Sequence, residues 1–239
     1  NRYEVRKLKK QRFVYFLTGI TAAITLPITI LILSVGLVSF DRSYYYREYE
    51  KYHVGIEQSL SKSDLKLITK RVTGYLWGSS PDLDFKVERD RSTGKDYFSD
   101  RDKAHMVDVR NIFTQLKVVG IIAALLLSAS LFVILREPRF KESIHRFLGT
   151  GAIAGIIPFL ILGILMLLDF NKYFIAFHER FFTNDLWLLD PAVDNLVNIF
   201  PEGFFMDMGL RICGGYIIGL LAVIVLSLST ISKIKGGLK

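Results

Sequence analysis

The chain has 239 residues, of which 51% are hydrophobic and 13% aromatic, and its formal net charge at pH 7 is +8. By length it could form one large or two small soluble domains. The distribution of hydrophobic residues excludes both, because four windows without charged residues each approach the ~20 residues that cross a bilayer core. Buried core helices of a soluble protein would be shorter and amphipathic. The windows are Phe13–Phe40, Val118–Leu135, Leu148–Leu168 and Ile212–Ile231.

The first predicted element is a membrane-spanning helix at 13–40, which follows a cluster of basic residues. A signal peptide also begins with basic residues, but this apolar run is too long for one and lacks a small-x-small cleavage site near its end. We therefore expect a retained anchor. Pro27 lies near the middle of the span, where it is expected to kink the helix and to free a backbone carbonyl.

The connection at 41–117 is predicted to be the first part of an extracellular cap. Ser63 is expected to cap an amphipathic helix that ends at Gly78. Hydrophobic and polar residues alternate on both sides of Ser92–Gly94, which predicts a small hairpin. A cluster of tyrosines after the first span is interpreted as an interfacial aromatic belt. Its members are Tyr44, Tyr45, Tyr46, Tyr49 and Tyr52.

A helix that carries a histidine is predicted at the end of this connection. Ser99 and Asp102 form a capping box, and the helix that they begin runs without a breaker into a second span at 118–135. It carries His105 about a dozen residues before the span, with Asp108 near the same face. A solvated or structural histidine is the common alternative. Asp108 favours a functional role, because a carboxylate fixes the imidazole tautomer and raises its basicity.

The second half of the chain contains another histidine close to a span. We expect the residues after the third span to continue upward as a helix that carries His178 among aromatic side chains, which would lower the pKa of its imidazole. Asp190-Pro191 is expected to begin a short helix. The predicted elements here are a cytoplasmic loop, a third span, a second cap region and a fourth span, at 136–147, 148–168, 169–209 and 210–231.

Charged residues predict the orientation of the spans. Basic residues cluster before the first span, between the second and third, and after the fourth, whereas the connection after the third span is mainly acidic. Because basic residues remain on the cytoplasmic side, both termini are expected inside and the cap outside. The net positive charge then faces anionic lipid rather than nucleic acid. The predicted fold class is an all-α membrane protein with four transmembrane helices and an extracellular cap of short helices and a small hairpin.

Several kinds of chemistry fit the residues poorly. His178-Glu179 begins like the His-Glu-x-x-His zinc motif, but Phe182 occupies the position of the second histidine. A zinc site of His105, Asp108 and His178 stays open as an alternative. The sequence contains no Gly-x-Ser-x-Gly element for a serine hydrolase, and the spans lack the ionisable residues of transporters. Two histidines at the boundary of cap and membrane favour acid–base chemistry on a lipid-borne substrate.

Three segments contain the histidines and the aromatic residues near them. They are Ala104-His105-Met106-Val107-Asp108-Val109-Arg110, the run from Phe177-His178-Glu179 to Asp185-Leu186-Trp187, and Pro201-Glu202-Gly203-Phe204-Phe205. Together these segments resemble the bacterial lipoprotein intramolecular transacylase family. The resemblance spans the chain, in the order of the family. It implies that His105 and His178 are the two catalytic histidines.

The resemblance also implies the reaction, the substrate and the location. The family moves the sn-2 acyl chain of a diacylglyceryl lipoprotein to the amine of its N-terminal cysteine, and the product is a lyso-form lipoprotein. Neither a cofactor nor a metal is expected. The expected partners are the diacylated lipoprotein in the outer leaflet and membrane lipids, in the bacterial cytoplasmic membrane. The residues expected to bind or orient the substrate are Asp108, Phe177, Phe181, Phe182, Asn184, Asp185, Trp187, Phe204 and Phe205.

Two other functions remain open at this point. A membrane module without enzymatic activity would use its aromatic cap to bind lipid or a partner protein. A lipid-ester hydrolase would need to admit water where the aromatic residues exclude it.

Overall fold

The computed structural model of the protein describes residues 2–88, 94–136 and 141–236. Within these ranges the chain forms α-helices and no β-strand. Four of the helices, α1, α5, α6 and α9, are long and apolar enough to cross a membrane. The helices are α1 (Arg2–Ser39), α2 (Arg42–Lys51), α3 (Val54–Glu57), α4 (Lys62–Trp77), α5 (Asp100–Leu135), α6 (Lys141–Leu168), α7 (Phe170–Phe181), α8 (Asn195–Ile199) and α9 (Glu202–Gly236).

The chain divides into two compact units. One, here called the span unit, consists of Asn1–Val35, Val118–Leu162 and Ile212–Lys239. The other, the loop unit, consists of Gly36–Lys117 and Gly163–Arg211, so both histidines of interest belong to it.

In the span unit, α1 and α6 approach closely one turn before Pro27. Proline has no N–H group, so the carbonyl of Ala23, four residues earlier, lacks its usual helical partner. Gly151 of α6 lies against this carbonyl, and a Cβ at Gly151 would overlap the Ala23 oxygen. The carbonyl freed by the proline therefore faces a neighbouring helix at a position where only glycine fits.

The loop unit has an aromatic core. Tyr44, Tyr45 and Tyr49 of α2 are almost fully buried, together with Phe200 and Phe204. Adjacent rings in this group lie 4.9–6.5 Å apart between centroids. The prediction of an interfacial belt is wrong for these three tyrosines, because α2 turns them toward Phe200 and Phe204 and away from the surface. We call these five residues the aromatic core.

The predicted amphipathic helix is confirmed as α4, with one correction at its start. Ser61, rather than Ser63, is the N-cap, and it exchanges hydrogen bonds with Asp64 in a capping box. Gly78 ends the helix in the left-handed conformation, with φ of 96°. Tyr97 donates a backbone hydrogen bond to Phe85 at 2.8 Å, and the turn of the predicted hairpin lies outside the described residues.

Two predictions about the residues after the third span need correction. The helix does not continue from the span, because it breaks at Asp169. The Asp169 side chain accepts a hydrogen bond from the backbone of Lys172 and so starts a separate helix, α7. The second correction concerns Asp190, whose carboxylate accepts from the Ala192 N–H in a turn. The short helix α8 begins after Asp194 instead.

Candidate active site

Two histidines lie side by side in the loop unit. His105 lies on the charged first part of α5, before the apolar run that begins at Val118, and His178 lies near the end of α7. Their ring centroids are 6.0 Å apart, with an angle of 33° between the ring planes. Both side chains are buried, with 6% and 8% of their surface exposed. The fold therefore brings together the two histidines that the sequence indicates.

The position of His105 depends on how α5 begins. Asp102, one turn earlier, is fully buried, and its carboxylate accepts from the backbone N–H groups of Ser99, Asn195 and Leu196 at 3.0, 2.9 and 3.2 Å. The Ser99 hydroxyl completes the predicted capping box by accepting from the Asp102 N–H at 2.9 Å. One carboxylate thus satisfies N–H groups at the starts of α5 and α8. It also ties α8 to the turn that precedes His105.

His178 is surrounded by aromatic rings. The centroid of Phe174, one turn earlier on α7, lies 4.2 Å from the His178 centroid, and those of Trp187 and Phe182 lie at 5.0 and 5.4 Å. The Phe182 ring also contacts His105 edge-on, at 5.0 Å. Phe182 therefore packs against both imidazoles. We call His105, His178, Phe174, Phe182 and Trp187 the histidine pocket.

The two imidazoles differ in their hydrogen bonds. Nδ1 of His178 lies 2.7 Å from the backbone oxygen of Phe174. A carbonyl oxygen can only accept, so Nδ1 carries the proton and Nε2 of the neutral ring keeps its lone pair. Nδ1 of His105 is buried and has no hydrogen-bond partner within the described part of the chain. Unsatisfied buried polar atoms are uncommon, and a catalytic role is one recognised reason for them.

Burial lowers the pKa of both histidines, because a desolvated imidazolium is disfavoured. For His105, burial is the largest cause, and the neighbouring His178 lowers the pKa further. The charge of Asp108 opposes both effects, and the resulting pKa of His105 is about 4. Burial also lowers the pKa of His178, while the hydrogen bond to Phe174 opposes this shift. Both imidazoles are therefore neutral at neutral pH.

Asp108 does not hold the imidazole of His105 as the sequence predicts. Its carboxylate accepts a hydrogen bond from the side-chain amide of Asn184 at 2.9 Å, and Asn184 in turn accepts from the Leu186 N–H at 3.0 Å. Asp108 therefore acts on His105 through its charge and anchors the segment that leads to Trp187. The spacing of three residues on a helix places Asp108 near His105, but its hydrogen-bond partner comes from a distant part of the chain.

Other predicted residues lie at the margin of the histidine pocket. The centroid of the Phe177 ring lies 5.6 Å from that of His178 and 4.6 Å from that of Phe181. Both phenylalanines are exposed. Phe205 packs on Phe174 at 5.5 Å. These exposed aromatic side chains offer an apolar surface beside the buried imidazoles.

Two predicted residues make contacts away from the imidazoles. Phe204 belongs to the aromatic core, where its backbone oxygen accepts from the Tyr44 hydroxyl at 2.7 Å. Neighbouring residues of a helix point to different faces, and it is Phe205 that reaches the histidine pocket. Asp185 contributes its backbone oxygen, which accepts from Arg101 of α5 at 2.5 Å.

Phe174 is the site residue that the sequence analysis misses. The available signal was its position four residues before His178 on a helix, where the two side chains share a face. In the described part of the chain, no group of three His, Cys, Asp or Glu side chains is placed to hold a metal ion.

The fold and site together define a class of protein. The chain is an integral membrane protein with four apolar helices, and its buried pair of neutral histidines suits acid–base chemistry on a lipid. A family model described as "Lipoprotein intramolecular transacylase Lit" matches residues 20–205. This match covers more than half of the chain, so the chain belongs to the lipoprotein intramolecular transacylase family. It is an enzyme of intramolecular acyl transfer on lipoproteins. Curated proteins give no match.

Solved structures of a membrane-integral lipoprotein intramolecular transacylase from Bacillus cereus share the fold. One has a TM-score of 0.80 at 23% identity and covers 93% of this chain and 98% of that chain. A structure with one histidine replaced by arginine has a TM-score of 0.76 at 22% identity, and covers 98% and 99%. A third, with that histidine replaced by alanine, has a TM-score of 0.75 at 23% identity, and covers 96% and 99%.

Proposed function

We propose that His105 and His178 act as an acid–base pair that transfers the sn-2 acyl chain of a diacylglyceryl lipoprotein to the α-amine of its N-terminal cysteine. The observation that carries this proposal is the pair of buried, neutral imidazoles 6.0 Å apart, one of them with a ring nitrogen that has no hydrogen-bond partner among the described residues. The amine nitrogen forms a bond to the ester carbonyl carbon, and the bond from that carbon to the glyceryl oxygen breaks. One proton moves from nitrogen to oxygen, so substrate and product have equal mass.

His178 is assigned as the base. The Phe174 carbonyl accepts from Nδ1, which leaves Nε2 free to collect the proton of the attacking amine. The same hydrogen bond stabilises the imidazolium that forms, as the carboxylate does in a serine-protease triad. A cysteine α-amine with a pKa of about 7.7–8.0 is partly deprotonated near neutral pH, so a neutral imidazole is well matched to it.

His105 is assigned as the acid. In one relay, the ring accepts on one nitrogen the proton that His178 collected and passes the N–H proton of its other nitrogen to the departing glyceryl oxygen, so both rings are neutral again and His105 never becomes an anion. A neutral histidine with a lowered pKa is a suitable donor to a developing oxyanion. No covalent enzyme intermediate or cofactor is needed, because an ester is exchanged for a more stable amide.

The aromatic side chains are assigned to substrate folding and water exclusion. Attack of the amine on the sn-2 ester requires the flexible thioether and glyceryl atoms to close a ring, which costs torsional entropy. A site that holds the folded conformer recovers part of that cost. Phe177 and Phe181, exposed beside His178, are suited to contact the acyl chain. Phe182 and Trp187 cover the imidazoles, which restricts the access of water and so disfavours ester hydrolysis.

We propose that the histidine pocket faces outward at the bacterial cytoplasmic membrane, with both termini in the cytoplasm. The distribution of basic residues around the spans supports this orientation. A compartment-sensitive reporter should then place Lys141 and Lys235 inside, and Arg91 and Asp190 outside. A cytoplasmic Asp190 would contradict the assignment of an outer-leaflet substrate.

Mass spectrometry of a diacylated lipoprotein incubated with the purified protein tests the reaction. We expect a product of unchanged mass whose fragmentation places one acyl chain on the N-terminal amine. Loss of one acyl chain would identify a hydrolase, and unchanged substrate would contradict the proposal.

A further inference from the structure

The loop unit contains a cavity that the histidine pocket does not use. It measures about 640 Å³ and lies among α2, α3 and α4. Pockets for drug-sized ligands commonly measure ~300–1,000 Å³, so this one can hold the headgroup and part of a chain of a lipid. None of its lining residues belongs to the histidine pocket or to the aromatic segment of α7.

The lining combines apolar and cationic side chains. Ile56, Leu60 and Leu65 supply apolar surface, and Ile56 is 81% exposed although it is a large hydrophobic residue. Its side chain therefore offers open apolar surface at the edge of the cavity. Lys62 and Lys66 lie four residues apart on α4 and so share a face.

The charges in the cavity favour an anion. Lys62 and Lys66 form no ion pair with the described residues, and both are exposed. Glu50 is the one carboxylate among the described lining residues. Among the described lining residues, two ammonium groups outnumber one carboxylate, so this part of the rim carries net positive charge above an apolar floor.

The end of α2 is anchored within the loop unit. Lys51 forms an ion pair with Asp207, and the Tyr52 hydroxyl donates to the same carboxylate at 2.7 Å. These contacts hold the residue that precedes His53 of the cavity lining.

The backbone around the cavity is held in an uncommon conformation. His53 and Ser59, on either side of α3, both have φ of 51°, which non-glycine residues rarely adopt. The α3 turn between them contributes Gly55 and Ile56 to the lining. Local strain of this kind is often found at ligand sites, where the surrounding structure maintains it.

We propose that this cavity binds an anionic phospholipid, with its phosphate between Lys62 and Lys66 and an acyl chain against Ile56. The ligand is a membrane lipid separate from the lipoprotein substrate. A lysine close to an anionic lipid contributes a favourable electrostatic attraction. Two such lysines together should favour an anionic lipid over a zwitterionic one by on the order of tenfold.

The test uses the delipidated full chain in a neutral detergent. Affinities are measured for phosphatidylglycerol and phosphatidylcholine with the same acyl chains, and we expect phosphatidylglycerol to bind roughly tenfold tighter. The double variant K62Q/K66Q should lose this preference. The matched double variant K70Q/K86Q removes the same charge from exposed lysines outside the lining and should keep it. Ile56→Glu should weaken the binding of both lipids.

Other outcomes would overturn the proposal. Equal affinities of the wild type for the two lipids, or an equal loss in both double variants, would mean that no specific site exists. Displacement of phosphatidylglycerol by millimolar inorganic phosphate would indicate an anion site without a lipid. Thermal unfolding of each variant controls for folding. Transacylase turnover of K62Q/K66Q in detergent should equal that of the wild type, which separates this proposal from that for the histidine pocket.

Discussion

The aromatic core and the histidine pocket are both rich in aromatic rings, but they differ in one buried polar atom that lacks a partner. In the core the hydroxyls of Tyr44 and Tyr45 donate to backbone oxygens at 2.7 and 2.8 Å, and the hydroxyl of Tyr49 accepts from that of Thr69 at 3.1 Å. In the pocket Nδ1 of His105 is buried without a described partner. Aromatic residues alone therefore do not indicate which region is functional.

The difference has a physical basis. A buried polar atom without a partner costs about 1–3 kcal/mol, so a purely structural region satisfies its polar groups. The three tyrosine hydroxyls of the core are all hydrogen-bonded. The pocket leaves one buried ring nitrogen without a described partner and leaves Phe177 and Phe181 exposed, as expected where a substrate supplies further contacts.

The largest expected effect is on turnover when either histidine is removed. His105→Ala and His178→Ala should each lower the rate by on the order of 10²–10⁴, the usual size of an acid–base contribution. The double variant should be little worse than either single one, because residues that act as a unit are non-additive. Turnover is measured by mass spectrometry of the lipoprotein product. His145→Ala, on α6 outside the pocket, is the control. Substantial turnover in a folded single variant would remove that histidine from the mechanism.

Phe204→Ala tests the other side of the comparison. Loss of a fully buried ring from the aromatic core should lower the free energy of unfolding by about 3–5 kcal/mol. Turnover per folded molecule should change little, because the Phe204 ring packs on the tyrosines of α2. Thermal unfolding and single-turnover rates of the same sample separate the two effects. A large rate loss without loss of stability would place Phe204 in the pocket after all.

Trp187→Ala should show the reverse pattern. This ring packs on His178 and is only half-buried. Without it the substrate is less restricted, so we expect turnover to decrease by about 10–100-fold, within the range attributed to positioning. The thermal unfolding temperature should change much less than for Phe204→Ala. An unchanged rate would mean that Trp187 is a surface residue without a role in the pocket.

The Asp108–Asn184 hydrogen bond should have a smaller effect. Asp108→Ala and Asn184→Ala each remove it and are expected to lower turnover about tenfold, as for supporting residues of a site. The double variant should resemble either single variant if both act through this bond. Asp108→Asn keeps an acceptor for the Asn184 amide and should lose only a few-fold in rate. Equal losses in Asp108→Asn and Asp108→Ala would favour a role for the charge itself.

The pH dependence of stability gives the smallest expected difference. The folded-state pKa of His105 is about 4, below its ordinary value of 6.5, so the folded protein binds fewer protons than the unfolded chain between these values. Stability should therefore fall as the pH decreases from 6.5 to about 4, by at most about 1.4 kcal/mol per pH unit from this group. His105→Gln should flatten the slope measured by thermal unfolding. A slope unchanged by the substitution would contradict the burial of a neutral imidazole.

The sequence by itself determined the features that depend on local order. Uninterrupted apolar runs predict the four long helices, since a membrane span requires only length and hydrophobicity. Ser99 and Asp102 predict the start of α5, because a capping box joins residues three apart. The two histidine segments are likewise readable in the sequence, and their resemblance to the family is enough to indicate the function.

Only the tertiary structure decided how the side chains are partnered. Asp108 binds Asn184, which is distant in sequence, and Phe204 joins the tyrosines of α2 although the adjacent Phe205 reaches the histidine pocket. The tyrosines themselves are core residues, a role that their composition does not distinguish from that of a membrane belt. The physical reason is that packing and long-range hydrogen bonds depend on which helix faces which, and no spacing within one helix specifies the residues that approach it from another.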